Sequence, residues 1–355
     1  MKDFLHKLLI FFSLFFVVGL LLSYLSVYIN PQTISIVALF GLAYPYFLLI
    51  NVLFFLYWVY RKRLSFLVPL FAILLGWPIL TTYFSVGTSN HEVISKDIKL
   101  LSYNVRYFNR YEWNKDPQTA NNILDLANKS DVDIICFQEF ILTNTKKVSD
   151  TSVIKALKAF PYHFVNKKKN LAIFSKFKIL DTVNIKFKNS SSAVAFYADL
   201  KIGGQKIRVF NCHLESNKFK REDYDFINNL KHNAEEKNID GAKGIIRRLM
   251  YAFVKRSHQA EMLNEMFMNS PYKPIVCMDM NDSPVSYAYK TLNAGLLDSF
   301  LEKGTGIGTT YVGDFPSYRI DYVFHHPNIE CLSYKRIKEK FSDHYPLIIG
   351  FRNDF

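Results

Sequence analysis

Val276-Cys277-Met278-Asp279-Met280-Asn281-Asp282-Ser283-Pro284 is the stretch on which the reading of this chain turns. Residues 274–277 form an apolar run that reads as a buried strand, and the run delivers polar side chains just where the backbone must turn. Asp279 and Asn281 are two residues apart, so on an extended chain they project to the same side. A carboxylate and a carboxamide at the end of a buried strand need a metal, a phosphate or strong hydrogen bonds to offset their lost hydration. Alone, an Asp-x-Asn turn is ordinary strand-end punctuation. The weight comes from repetition elsewhere in the chain.

Five further apolar, strand-like runs end in polar residues of the same kind. Asn104 closes the run at 98–103, Gln138-Glu139 follow 133–137, and Asn211-Cys212-His213-Leu214 end 206–211. Arg319-Ile320-Asp321-Tyr322 and Ser342-Asp343-His344-Tyr345-Pro346 complete the set. Each alone is a turn residue, a solvated acid or a satisfied histidine. Six together are hard to explain as turns.

Charge divides the chain in two. Of 44 Lys and Arg and 31 Asp and Glu in 355 residues, residues 1–96 hold only six and two, which leaves a formal net charge of +9 in residues 97–355. The stretches 8–29, 34–60 and 64–83 carry no charge until Lys or Arg flank them, and each is long enough to cross about 30 Å of hydrocarbon. A cleaved signal peptide is the competing reading of the first, but its apolar region is too long and two more follow. Pro69 and Pro78 leave the third span open to a re-entrant reading. Lys2 and Lys7 precede the first span and Arg61-Lys62-Arg63 lie between the second and third. With these basic segments inside, the amino terminus is cytoplasmic and the remainder emerges on the far side. The expected organisation is a transmembrane anchor over 1–84, a linker over 85–96 and a catalytic domain over 97–355 of an integral membrane protein, with the catalytic domain extracytoplasmic.

Cys136, Cys212, Cys277 and Cys331 sit in apolar runs and read as small core residues, so neither a disulfide framework nor a thiolate metal site is indicated. Helices are expected over 119–127 and 244–268. Strands are expected at 98–103, 133–137, 162–165, 171–174, 183–188, 194–200 and 206–211, resuming near 274, 320 and 346. Gly304-Thr305-Gly306-Ile307-Gly308 lacks the strand and helix of a phosphate-cradling loop and reads as a flexible turn. Lys167-Lys168-Lys169 reads as a solvated hairpin tip. The segment 217–256, with ten basic and six acidic residues, reads as a solvated helical excursion that could meet a lipid surface or polyanion.

The ordered set Tyr103-Asn104, Gln138-Glu139, Asn211-Cys212-His213-Leu214, Asp279-x-Asn281, Arg319-Ile320-Asp321-Tyr322 and Ser342-Asp343-His344 resembles the endonuclease/exonuclease/phosphatase superfamily, which includes deoxyribonuclease I, abasic-site endonucleases and neutral sphingomyelinases. The resemblance spans 97–355. It implies an α/β (α+β) fold of two packed mixed β-sheets flanked by helices, a four-layer sandwich like deoxyribonuclease I, here preceded by a bundle of about three transmembrane helices. Met278 and Met280 depart from the Gly and Phe usual beside the Asp of the Asp279-x-Asn281 motif. Asn170 stands where relatives often have Gly, and Asn tolerates a left-handed backbone.

The resemblance also implies roles. Glu139, Asn104 and Asp343 would hold Mg²⁺, with Mn²⁺ able to substitute. Asp279 would orient or deprotonate the attacking water, Asn281 would bind the phosphate, and His213 would bind it or assist the leaving group. His344, oriented by Asp321, would act as general base or stabilise charge; Asn211 and Arg319 would touch substrate. The expected activity is a membrane-anchored, metal-dependent hydrolysis of phosphodiesters or phosphomonoesters. The substrate would be a phospholipid headgroup, an inositol phosphate or a nucleic acid, and the bilayer is the only other partner expected. An extracytoplasmic nuclease and an inactive protein that binds phosphorylated ligands are the competing readings.

Overall fold

The computed structural model describes residues 2–87, 97–141, 150–166, 170–188, 192–224, 226, 239–313 and 316–353. Lys167-Lys168-Lys169, much of the linker and the middle of the basic segment lie outside the described residues. Within the N-terminal part, the helix Lys2–Leu25 runs unbroken. Its 22 residues Phe4–Leu25 are long enough and, taken together, apolar enough to cross a membrane. At about 1.5 Å per residue they reach about 33 Å. The two later stretches are broken. Ile36–Leu42 and Tyr44–Tyr60 meet at 62°, and Leu64–Leu75 and Trp77–Tyr83 at 60°, so they count as spans only if each bent pair is taken as one. The breaks have a local cause: a proline opens the second helix of each pair, Pro45 and Pro78, where its missing N–H costs nothing.

Two six-stranded mixed sheets follow. The first is ordered Cys331–Arg336, Leu347–Phe351, Ile98–Asn104, Ile134–Gln138, Leu171–Ser175, Tyr162–Asn166; the second is ordered Leu297–Asp298, Asp321–His325, Lys273–Asp279, Gln205–His213, Val194–Ile202, Lys178–Ile185. Strand periodicity explains why both faces are apolar. In the strand Ile98–Asn104, Leu100 faces the space between the sheets with Ile134, Ile173, Phe196 and Val209. Its neighbours Leu101 and Tyr103 face outward onto Ile123, Leu124 and Ala127 of the helix Thr119–Lys129. In the second sheet, Val276, Met278, Tyr322 and Phe324 face outward onto Ala260, Leu263 and Phe267 of the helix Ile239–Met268. Ile245 and Leu249, nearer the start of that helix, are only half-buried. Met278 and Met280 are fully buried in this outer layer, as neighbours of the polar residues.

The junction between the helical part and the sheets is tighter than a linker. Ser85–Val86 pairs antiparallel with Thr305–Gly306, and the N–H of Gly87 donates to Gly304 O at 2.8 Å. The glycine segment expected to be a flexible turn is therefore a short strand at this point. Arg319 is the polar anchor of the junction. Its guanidinium donates to Asp298 Oδ2 at 2.6 Å and to the Thr82 carbonyl at 2.8 Å. Only 1% of it is exposed, and it packs on Phe300 and Tyr322. Removing one partner of a buried ion pair leaves an uncompensated charge, so Arg319→Ala is expected to destabilise the folded chain by about 3–5 kcal/mol. Denaturant unfolding of the detergent-solubilised protein measures this, and an unchanged midpoint would contradict the assignment.

Candidate active site

Register builds the site before any side chain is considered. The strand Lys273–Asp279 lies parallel to Gln205–His213 with Asp279 opposite His213, and antiparallel to Asp321–His325 with Asp279 opposite Asp321. Three functional side chains thus share one end of one sheet. In the first sheet, Asn104 pairs with Gln138 at the end of two parallel strands. The two sheet ends meet where Asn104 Nδ2 donates to Asp279 Oδ2 at 2.9 Å.

The remaining groups close around this contact. His213 Nε2 lies 3.3 Å from Glu139 Oε1 and 3.5 Å from Asp279 Oδ2, and Asn281 Nδ2 is 3.5 Å from the same nitrogen. His344 Nδ1 pairs with Asp321 Oδ2 at 2.8 Å, which leaves Nε2 facing Asp279 at 3.9 Å and Asp343 at 4.0 Å. Tyr311 packs its ring edge-on to His344 at 5.4 Å. The Ser342 hydroxyl donates to Asn104 O at 2.8 Å, tying the last motif to the first. Glu139 and Asn281 hold φ of +50° and +56°, a left-handed backbone that non-glycine residues adopt only when the surroundings impose it. Asn170 also takes the left-handed conformation, at φ +54°.

Burial and charge set the protonation states. Burial raises the Asp279 pKa and the nearby Asp321 charge adds to it, against the opposing His344 and His213. Burial also raises Asp343. Burial alone would lower His344, but the charges of Asp321 and Asp279 hold it well above the ordinary imidazole value. His213 is likewise raised despite burial, by its hydrogen bond to Glu139 and the charge of Asp279. Burial would raise Glu139, yet the hydrogen bond and charge of His213 outweigh it and leave the carboxyl lowered. The cleft therefore combines cationic imidazoles with a carboxylate able to take up a proton.

Several of these groups suit a hard cation. Ligand atoms of Asp279, Asp321 and His344 lie within 4.8 Å of one another. Glu139 and Asp343 border them with side chains 21% and 15% exposed. An oxygen-dominated donor set of this kind fits Mg²⁺ or Mn²⁺ better than a soft metal. A second cluster, Glu302, His325 and Cys331, lies at the far end of the strand Asp321–His325. There burial pushes the Cys331 thiol up to about 12.

Two expected substrate contacts do not reach the cleft. Arg319 is committed to the junction described above. Asn211 is fully buried between the sheets: its Nδ2 donates to Phe137 O at 3.1 Å and Ala172 O at 2.9 Å, and its Oδ1 accepts from Gln138 at 2.8 Å. Both amide hydrogens are therefore committed within the sandwich, away from the cleft. Conversely, Arg106 was not singled out by the sequence. It pairs with Asp343 at 3.2 Å and stacks on Trp113 at 4.0 Å, within a run, Arg106–Asn109, whose four residues all have positive φ. The signal was its place two residues after Asn104.

Paired imidazoles and carboxylates thus line a cleft at one edge of the two-sheet sandwich. Residues 101–344 match the model of the endonuclease/exonuclease/phosphatase family, so the chain belongs to that family, whose members are generally metal-dependent phosphoester hydrolases. Residues 6–83 match a domain of unknown function. Among solved structures, a humanized D. rerio TDP2 is 17% identical with a TM-score of 0.52, covering 73% of this chain and 100% of that one. An endonuclease/exonuclease/phosphatase protein from Bacteroides vulgatus is 16% identical with a TM-score of 0.51, covering 73% and 99%. At these identities the likeness is one of fold. A comparison with curated proteins gives no match.

Asn211→Leu separates a structural from a ligand-binding role. Stranding two carbonyls and the Gln138 amide is expected to cost at least about 2 kcal/mol of stability, read by denaturant unfolding. Unchanged stability with weakened substrate binding would restore the contact role.

Proposed function

We propose that the chain is a membrane-anchored, Mg²⁺-dependent phosphoesterase with its catalytic domain on the extracytoplasmic side. The observation that carries this is the meeting of Asn104, Glu139, His213, Asp279, Asn281, Asp321 and His344 at one end of the two sheets. Glu139, Asn104 and Asp343 would hold the metal, which supplies charge neutralisation on the phosphoryl oxygens when bound. An inactive binding protein has no use for so complete a set of proton-transfer groups.

The remaining steps belong to the chain's own residues. Water is oriented by Asp279, whose raised pKa suits it to take the proton as oxygen bonds to phosphorus. Asn281 and His213 offer N–H donors to the phosphoryl oxygens as charge builds. His344, fixed by Asp321, presents a cationic N–H toward the same space. As the ester P–O bond breaks, the leaving oxygen takes a proton, for which His213 is the best-placed donor. One water is consumed, and an alcohol and a phosphate product are released.

Hydrolysis of bis(p-nitrophenyl) phosphate by the full chain in detergent tests the reading. Turnover is expected with Mg²⁺ or Mn²⁺, to stop with EDTA, and to fall by at least about 100-fold in Asp279→Asn and in His344→Ala. Turnover that survives both EDTA and the two substitutions would sink it.

A further inference from the structure

We propose that the N-terminal helices are part of the active-site framework, and that they hold the phosphoryl site at the level of the bilayer interface to act on phosphoesters carried by membrane lipids. The inference rests on the phosphoesterase and membrane readings above and names the substrate class of that site.

The loop that leaves Asp279 and Asn281 runs directly into the helices. Val285, four residues beyond Asn281, is buried in one apolar cluster with Val17, Leu20, Tyr24 and Tyr44. The Ser26 hydroxyl lies 3.4 Å from Val285 O, and a Cβ on Gly41 would come within 2.3 Å of the same carbonyl. Only glycine permits so close an approach. The second loop of the site is held in the same way. Tyr318, three residues before Asp321, donates its hydroxyl to Leu42 O at 3.0 Å, and Tyr318 O accepts from the N–H groups of Thr310 and Tyr311 beside His344. A polar rim surrounds the seam: Asn30 donates to Glu261 at 2.7 Å, Gln32 to the same carboxylate at 3.0 Å, and Lys290 lies over the Tyr28 ring at 3.5 Å.

These contacts share one end of the helices. Ser26, Tyr28, Asn30 and Gln32 follow the end of Lys2–Leu25, Gly41 and Leu42 close Ile36–Leu42, and Thr82, which receives Arg319, lies at the end of Trp77–Tyr83. On the membrane reading this is the end at which Phe4–Leu25 and Trp77–Tyr83 leave hydrocarbon, with Gly41 and Leu42 at the break that follows Ile36–Leu42. Four residues from Asn281 to Val285 allow at most about 14 Å of extended chain. Each headgroup layer is about 5–8 Å thick. A flexible tether would let the site roam; this seam fixes its height within reach of lipid phosphates.

The test uses the full chain in phosphatidylcholine nanodiscs with Mg²⁺ and two diesters sharing one leaving group: ethyl p-nitrophenyl phosphate, which stays dissolved, and hexadecyl p-nitrophenyl phosphate, which enters the bilayer. At equal bulk concentration the hexadecyl ester is expected to turn over at least about tenfold faster. The combined Asn30→Ala, Gln32→Ala and Lys290→Ala variant, which touches only the rim of the seam, should lose that preference while the ethyl ester rate stays within about twofold. Equal wild-type rates, or a preference that survives loosening of the seam, would overturn the inference and leave the phosphoesterase reading intact. No turnover of either ester would overturn both.

Discussion

Everything at the site depends on keeping one buried carboxylate in place. Asp279 is 1% exposed and lies at the end of the strand Lys273–Asp279, where an unpaired charge would be intolerable. The amide of Asn104 from the opposite sheet, the backbone N–H of Asn281 and the imidazoles of His213 and His344 offset that cost. Because the Asn104 contact crosses between the sheets, the sandwich cannot shear without exposing Asp279. Fold stability and the geometry needed for chemistry are therefore the same constraint.

The strand ends were legible because each joins an apolar run to a polar residue, a pattern that survives without knowledge of the neighbours. Asp279, His213 and Asp321 are brought together by register alone, so finding the strands nearly found the site. Asn211 and Arg319 misled for one reason. Sequence shows that a polar residue sits at a strand end, and hides which way its hydrogen bonds run. In Asn211 they run back into the sandwich, and in Arg319 they run to Asp298 and Thr82. The breaks near Pro45 and Pro78 were likewise hidden, since proline inside a span can kink or be absorbed. Ser85–Val86 looked like a linker because a two-residue strand has no periodicity to read.

Strain marks the same region. Glu139, Asn281 and the run Arg106–Asn109 take left-handed backbone without being glycine. Such conformations persist only where the surroundings over-determine them, and here they aim a carboxylate, an amide and a guanidinium into one cleft.

The most direct test is to locate Mn²⁺ by anomalous diffraction from crystals of the full chain soaked in the ion. An anomalous peak about 2.0–2.3 Å from a Glu139 oxygen, facing Asp279 and Asp343, is the result this account requires. No peak there, or a peak only among Glu302, His325 and Cys331, would contradict it.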